Sequence, residues 1–127
     1  MHYLYFTLLM FGFSCTAVPA QGAKKLAPEA FAAMLQTDTT IQFIDVRTPE
    51  EYRDGHIAGS LNWNIHAADF SQKMAGLDKK KPVMVYCAVG GRSGNAARRF
   101  SELGFEQVYD LEGGIKAWIA AGKPVEK

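Results

Sequence analysis

Cysteine is scarce in this chain of 127 residues, which holds only Cys15 and Cys87. Two cysteines cannot build a disulfide scaffold, and no Cys-x-x-Cys pair or Cys/His cluster has the spacing of a zinc site. The chain also lacks an excess of charge of one sign, because it has 14 Lys and Arg residues and 13 Asp and Glu residues. A chain without a basic stripe gives no electrostatic case for nucleic acid or for an anionic membrane surface as partner. These absences, with 48% hydrophobic residues, leave one small globular domain.

The first 20 residues contain no charged side chain. Between positions 3 and 18, 12 of 16 residues are apolar, and a helix of that length would span roughly 24 Å, too short to cross a bilayer core. Small residues follow in Ala17-Val18-Pro19-Ala20, where a signal peptidase would cleave. We therefore expect a signal peptide over residues 1–20, cleaved after Ala20, and a periplasmic or secreted mature domain over residues 21–127. An uncleaved membrane anchor and a buried first helix are the alternatives.

Removal of that peptide would leave Cys87 as the one cysteine of the mature domain. A lone thiol in an exported protein cannot form an internal disulfide and is exposed to oxidation. A cysteine that is open to oxidation in this way suggests a functional role for its thiol. The sequence does not indicate how that thiol would be kept reduced.

Apolar runs and helical patterns alternate along the mature chain. Apolar segments predict strands over 41–46, 82–86 and 107–111, with a brief extended piece over 61–65. Helices are predicted over 28–36, 66–75 and 93–103, from the Thr48-Pro49-Glu50-Glu51 capping box to Gly55, and around Trp118. Strands that alternate with helices predict an α/β fold, with a parallel sheet covered by helices on both faces.

Two predicted strands end in polar or reactive residues, Asp45 and Cys87. Ligands of open α/β sheets bind beyond the carboxyl ends of the strands, so both residues are candidates for a site. The glycine-rich segment from Ala88 to Gly94 follows the cysteine, and glycines let backbone N–H groups converge on an anion at the start of the next helix. A thiol held there should have a lowered pKa and act as a nucleophile. Arg92 is mildly unfavourable at a helix N-terminus, by about 0.3–1 kcal/mol, so we expect an anionic ligand or a thiolate to compensate its charge.

These residues resemble the active-site loop of the rhodanese family of sulfurtransferases. The resemblance covers about residues 25–123 and rests on four separated motifs in the family's order. They are Asp45-Val46-Arg47 with Glu51-Tyr52, Gly55 to Asn62, Cys87-Ala88-Val89-Gly90-Gly91-Arg92-Ser93, and a C-terminal pattern that includes Leu103-Gly104-Phe105, Val108-Tyr109, Leu111, Gly113-Gly114 and Trp118.

The resemblance implies a rhodanese-like fold with a central parallel sheet of about five strands, and a double-displacement reaction. The Cys87 thiolate would take the sulfane sulfur of thiosulfate or a similar small anionic donor, become a persulfide, and pass the sulfur to a thiol or cyanide. Substrate contacts are implied for Arg92 and for the loop residues Ala88, Val89, Gly90, Gly91 and Ser93. Ser93 would cap the helix or hydrogen-bond the sulfur. No metal or organic cofactor is implied, and a redox or sulfur-carrier protein is a further candidate partner.

Several other polar residues have simpler interpretations. We expect Asp45 and Arg47 to brace the loop or to pair locally with Glu50 or Glu51 rather than to react. His56 has no evident partner in the sequence and is interpreted as a structural hydrogen-bonding residue. His66 is expected to open a helix and to be exposed, Trp63 and Trp118 to pack in the core or at its rim, and Arg98-Arg99 to form a solvated helix face.

Two other functions compete with sulfur transfer. A cysteine-dependent phosphatase or arsenate reductase also uses a thiolate in an anion-binding loop followed by Arg, but such phosphatases place five residues between the two. Four residues separate Cys87 from Arg92, and Tyr86 stands where a His would precede the cysteine. A persulfide carrier or a binding module for a partner protein is the second alternative. The physiological donor and acceptor, and the oligomeric state, are left open by the sequence.

Overall fold

A computed structural model describes Gly12 and residues 22–127. Apart from Gly12, the predicted signal peptide lies outside the described residues, as does its cleavage site at Ala20. Five strands and five helices alternate along the described chain. In order they are β1 (Lys24–Leu26), α1 (Pro28–Thr37), β2 (Gln42–Asp45), α2 (Pro49–Asp54), β3 (Leu61–Asn62), α3 (Phe70–Ala75), β4 (Val83–Tyr86), α4 (Gly91–Glu102), β5 (Val108–Leu111) and α5 (Gly114–Ala120).

The strands form one parallel sheet in the order β1-β5-β4-β2-β3. Strand β4 lies at the centre, and each of its four residues is buried, as expected for a parallel strand with both faces covered. The pairing of β4 with β2 places Tyr86, the last residue of β4, beside Asp45, the last residue of β2. Cys87 follows Tyr86 in the chain and therefore lies at the same edge of the sheet as Asp45. The predicted α/β fold with a parallel sheet of five strands is confirmed.

Alternate side chains of β4 lie on opposite faces of the sheet and pack in two separate hydrophobic cores. Val83 and Val85 pack with residues of α3 and α4, among them Phe70 and Phe100. Met84 and Tyr86 pack on the opposite face, where α1 and α5 contribute Phe31, Ile115 and Trp118. Helices therefore cover both faces, as predicted, and the period-two alternation of the strands determines which helix each residue meets.

Helix α2 begins as its sequence predicts. The Thr48 Oγ1 accepts the N–H of Glu51 at 3.2 Å, and the Glu51 carboxylate accepts the N–H of Thr48 at 3.3 Å, which completes the capping box. The helix ends at Asp54, one residue before Gly55. Glu51 is thereby held in one orientation, with a carboxylate that faces the loop after β4.

Some element boundaries differ from the predictions. Strand β1 was not predicted, and the extended piece at Leu61 keeps only two residues in the sheet. Helix α3 begins at Phe70 rather than at His66, because the Asn64 side chain accepts the N–H of His66 at 3.0 Å and holds residues 66–69 in turns. Helix α4 begins at Gly91, two residues earlier than expected, so Arg92 lies within its first turn.

Across residues 22–127, no helix is both long enough and apolar enough to span a bilayer.

Candidate active site

The thiol of Cys87 lies at the base of the loop that joins β4 to α4. Gly90 has a φ of 115°, a conformation that favours glycine, and its N–H donates to the Cys87 Sγ at 3.1 Å. The Ser93 hydroxyl, fully buried in the first turn of α4, donates to the same sulfur at 3.3 Å and to the Gly90 carbonyl at 3.4 Å. The loop thus directs donors at the sulfur from the N-terminal end of a twelve-residue helix.

The surroundings of Cys87 change the acidity of its thiol. Burial acts to raise the pKa of Cys87, which is only 1% exposed. The Ser93 hydroxyl and the backbone N–H groups of Ser93, Gly90 and Val89 act in the opposite direction, and together they lower the pKa below its ordinary value. The geometry therefore favours the thiolate, as the glycine-rich sequence predicts.

Ser93 contributes to the site through the sulfur and not as a helix cap. The N-cap position of α4 is Gly90, and no side chain caps that end of the helix. Of the two roles considered for Ser93, the hydrogen bond to the sulfur is the one observed. The remaining loop residues line the approach to it, with Ala88 half-buried and the Val89 side chain largely exposed.

The start of α5 supports the loop from beneath. The N–H groups of Ile115 and Lys116 donate to the carbonyls of Cys87 and Ala88 at 2.9 and 3.2 Å. Gly114 has a φ of 65°, and a Cβ added there would lie 2.4 Å from the Ala88 carbonyl carbon and oxygen. In the sequence, Gly114 is notable only as part of the C-terminal pattern that resembles the rhodanese family. Its function is to let two backbone segments approach closely.

Arg92 forms an ion pair that was not predicted. Its guanidinium donates two hydrogen bonds to the Glu51 carboxylate, at 2.7 and 2.9 Å. Arg92 lowers the pKa of Glu51 to about 2, and Glu51 in turn raises the pKa of Arg92. The expectation that a ligand or a thiolate compensates the arginine is corrected, because a carboxylate of the chain itself does so.

Asp45 and Arg47 form a buried pair at the end of β2. The Arg47 Nη2 donates to Asp45 Oδ2 and to the Gly55 carbonyl, each at 2.7 Å, and both side chains are almost fully buried. The guanidinium also lies 5.6 Å from the centre of the Tyr86 ring. Arg47 therefore pairs with Asp45 and not with Glu50 or Glu51, and the pair braces the strand end beside Cys87.

His56 makes three structural contacts that the amino-acid sequence alone does not reveal. Its Nδ1 lies 2.9 Å from the Tyr52 carbonyl, its ring stacks on Tyr52 at 3.7 Å, and its Nε2 lies 3.5 Å from a Glu126 carboxylate oxygen. These contacts tie the C-terminal segment to the end of α2, consistent with the structural interpretation of His56.

His66 and Trp118 lie in the surroundings that were expected, and Arg99 does not. His66 is exposed, although it precedes α3 rather than opening it, and Trp118 lies in the core. Arg98 is exposed, but Arg99 is half-buried. The Arg99 guanidinium donates to the Ser71 hydroxyl at 2.7 Å and lies 5.1 Å from the centre of the Phe70 ring. The solvated helix face predicted for both arginines therefore holds for Arg98 alone.

The described part of the chain has no group of three or more His, Cys, Asp or Glu side chains placed to hold a metal ion. Its reactive group is a single thiol at the carboxyl edge of a parallel sheet, with hydrogen-bond donors directed at the sulfur. Fold and site together define an α/β domain with a cysteine of lowered thiol pKa in a glycine-rich loop that directs hydrogen-bond donors at its sulfur.

Comparison with known proteins places this domain in a family. Residues 27–121 match the rhodanese-like domain. The chain is 35% identical over 96 residues to the thiosulfate sulfurtransferase GlpE of Pseudomonas aeruginosa, an alignment that covers 75% of this chain and 83% of the relative. The chain therefore belongs to the rhodanese-like domain family, and its relatives include named sulfurtransferases.

Solved structures agree with that assignment. The crystal structure of a rhodanese-related protein from Thermoplasma volcanium aligns with a TM-score of 0.71 at 33% identity, covering 81% of this chain and 97% of that chain. The polysulfide-sulfur transferase homodimer of Wolinella succinogenes aligns with a TM-score of 0.69 at 31% identity, covering 82% and 78%.

Proposed function

We propose that the chain is a thiosulfate sulfurtransferase that moves a sulfane sulfur from thiosulfate, or a similar donor, to a thiol or cyanide through a persulfide on Cys87. The observation that carries the proposal is the pair of hydrogen bonds from Gly90 N–H and the Ser93 hydroxyl to the Cys87 sulfur. Hydrogen bonds of this kind increase the fraction of the thiol that is present as the nucleophilic thiolate, and the same donors can stabilise the anionic terminal sulfur of a persulfide.

In the first step, the Cys87 thiolate attacks the outer sulfur of thiosulfate. A new S–S bond forms to Sγ while the S–S bond of the donor breaks, and the electron pair leaves with sulfite. In the second step, a thiolate or cyanide attacks the terminal sulfur of the persulfide, and the electron pair of the broken S–S bond returns to Sγ. The cycle needs no external oxidant or reductant, because each displacement is balanced within its own reactants.

The loop backbone and the Arg92 side chain have different roles in this cycle. The N–H groups between Ala88 and Ser93 would bind the incoming anion, and Arg92 would assist with its charge. Because Glu51 already neutralises much of that charge, a dianionic donor competes with a carboxylate of the chain itself for Arg92.

The experiment is an intact mass spectrum of the reduced protein, recorded before thiosulfate, after thiosulfate and after a final addition of cyanide. Gain of one sulfur atom, followed by its loss with formation of thiocyanate, is the expected result. No gain of sulfur from a folded, reduced sample would overturn thiosulfate as the donor. Sulfur that is gained but reaches neither cyanide nor a small thiol would favour a persulfide carrier for a partner protein.

Cys87→Ser is the control for the site of transfer. The substitution replaces sulfur by oxygen at almost constant shape, so the circular dichroism spectrum should be kept while the sulfur gain is lost. Sulfur transfer that persists in this variant would contradict the mechanism.

Export is a separate part of the proposal, supported by the apolar, uncharged segment over residues 1–20. The same mass spectrum, recorded on protein recovered from an exporting host, gives the mature N-terminus. A mass that corresponds to residues 21–127 supports a periplasmic or secreted domain, and retention of the segment contradicts cleavage.

A further inference from the structure

A groove of about 330 Å³ runs along α4, directly beside the loop that holds Cys87. Polar and basic side chains dominate its lining, which consists of Ile65, His66, Gly91, Arg92, Asn95 and Arg99. Positions 92, 95 and 99 share one face of a helix, so the groove continues the active-site loop along that face.

The two arginines of the groove differ in their electrostatic environment. Arg92 is paired with the Glu51 carboxylate, so much of its charge is neutralised. Arg99 is held by the neutral Ser71 hydroxyl and the Phe70 ring, and within residues 22–127 no carboxylate lies within ion-pair distance of it. The uncompensated positive charge of the groove is therefore on Arg99.

The Arg99 side chain is also ordered by contacts within the chain. Its guanidinium is fixed by the 2.7 Å hydrogen bond to Ser71 and by its position over Phe70. A cation that is already ordered loses little side-chain entropy when an anion arrives, and the planar guanidinium suits a carboxylate.

The distance along the helix determines which ligand fits. Arg99 is seven residues beyond Arg92, which corresponds to about 10 Å along α4. Because Cys87 precedes the start of α4, a ligand whose sulfur faces Cys87 must extend along the helix to place an anionic group on Arg99, and we expect thiosulfate to be too short for this. A longer organic thiol with a carboxylate remote from its sulfur can reach both.

We propose that this groove, defined by Arg92, Asn95 and Arg99, binds the carboxylate end of an extended thiol acceptor while its sulfur faces Cys87. This inference rests on the proposed sulfurtransferase function and names the class of its acceptor. The acceptor thiolate attacks the terminal sulfur of the Cys87 persulfide, a new S–S bond forms on the acceptor, and the electron pair of the broken bond returns to Sγ. The product is the acceptor persulfide.

The test compares acceptors on wild-type protein and two variants, with thiosulfate as the donor. Glutathione is the extended carboxylate thiol, its diethyl ester is the matched thiol without free carboxylates, and cyanide is the short acceptor. Arg99→Gln keeps a donor for Ser71 but removes the charge. Arg98→Gln removes a neighbouring charge on the exposed side of the same helix, outside the groove.

We expect Arg99→Gln to lower the ratio of kcat/KM for glutathione over cyanide about tenfold, the loss of one charge-assisted hydrogen bond. Wild-type protein should prefer glutathione to its diethyl ester by a similar factor, and Arg98→Gln should keep the wild-type ratio.

Equal use of the acid and the ester by wild-type protein would overturn the proposal, and this comparison does not depend on the folding of any variant. An unchanged ratio in Arg99→Gln, or an equal fall in Arg98→Gln, would overturn it as well. Failure of both cyanide and glutathione to take the sulfur would instead contradict the proposed function, and the acceptor groove with it.

Discussion

The guanidinium of Arg92 and the carboxylate of Glu51 form two hydrogen bonds of 2.7 and 2.9 Å between residues 41 positions apart in the chain. The pair joins the first turn of α2 to the first turn of α4, beside the loop that holds Cys87. It also determines how much of the Arg92 charge is left uncompensated beside that loop, so the pair is the first feature to test.

Glu51→Gln should lower the KM for thiosulfate, since a neutral amide leaves the Arg92 charge free for the dianion. We expect roughly a fivefold effect, about 1 kcal/mol, because both side chains are partly exposed and solvent screens the pair. Glutamine can still complete the capping box of α2, so the fold should be kept. Steady-state kinetics with cyanide as the acceptor measure the change.

Glu50→Gln is the matched control for that variant. Glu50 is the preceding residue, and its contact is an exposed pair with Arg53 at 3.6 Å. Its KM for thiosulfate should equal that of the wild type. An unchanged KM in Glu51→Gln would show that Arg92 does not help to bind the donor.

The capping box and the ion pair also show what the sequence could predict. Thr48 and Glu51 lie within one turn, so their mutual hydrogen bonds followed from local spacing. The contact of Glu51 with Arg92 depends on the parallel order of β2 and β4, which brings the two following helix starts to the same edge. No local pattern contains that information.

Strand β1 was missed for a related reason. Lys24-Lys25-Leu26 has one apolar residue, and its lysines are exposed, so it lacks the alternation of a strand with a buried face. It is a strand because β5 offers an unpaired edge to which its backbone can bond. Cys87 and its glycine-rich loop were identified because strand, glycines and helix start lie together in the chain.

The pH dependence of Cys87 alkylation tests the hydrogen bonds to the sulfur. Iodoacetamide reacts with the thiolate, so the midpoint of its rate profile should lie below that of a free cysteine, since the pKa of Cys87 is lowered. Ser93→Ala removes the hydroxyl that donates at 3.3 Å and should move the midpoint to higher pH.

Ser101→Ala, in the last turn of the same helix, is the control and should keep the wild-type profile. If Ser93→Ala gives the same midpoint as Ser101→Ala, the serine does not stabilise the thiolate.

The contact beneath the loop makes Gly114→Ala a sensitive variant. The new Cβ would meet the Ala88 carbonyl at 2.4 Å in a backbone with a φ of 65°, so the loop must shift. We expect a loss of about 2–4 kcal/mol in the free energy of unfolding, together with loss of sulfur transfer.

Gly122→Ala separates the backbone effect from the contact. Gly122 has a φ of 77°, and an added Cβ would have no neighbour within 4 Å. This variant should lose only about 1–2 kcal/mol and retain sulfur transfer, as measured by denaturant unfolding and a cyanide assay. Similar losses in both variants would mean that the close approach to Ala88 has no special importance.

Asp110 is a buried aspartate on β5. It is 2% exposed, and its Oδ1 has no hydrogen-bond partner within the described residues. Burial raises the pKa of Asp110, although the Ser93 hydroxyl and Lys25 offset part of the effect. Because the pKa of Asp110 is higher in the folded than in the unfolded state, the protonated carboxyl favours the folded state. Ionisation of Asp110 at neutral pH therefore lowers the free energy of unfolding.

Asp110→Asn should therefore stabilise the protein at pH 7, by about 1 kcal/mol or roughly 4 °C in Tm. The advantage should shrink as the pH falls through the raised pKa toward about 4, because the wild-type carboxyl then becomes neutral too. Thermal unfolding at several pH values measures both effects, with the exposed Asp54→Asn as a control that changes Tm little at any pH. A variant less stable than the wild type at pH 7 would mean that the ionised carboxylate contributes favourably to the fold, which the unpaired oxygen argues against.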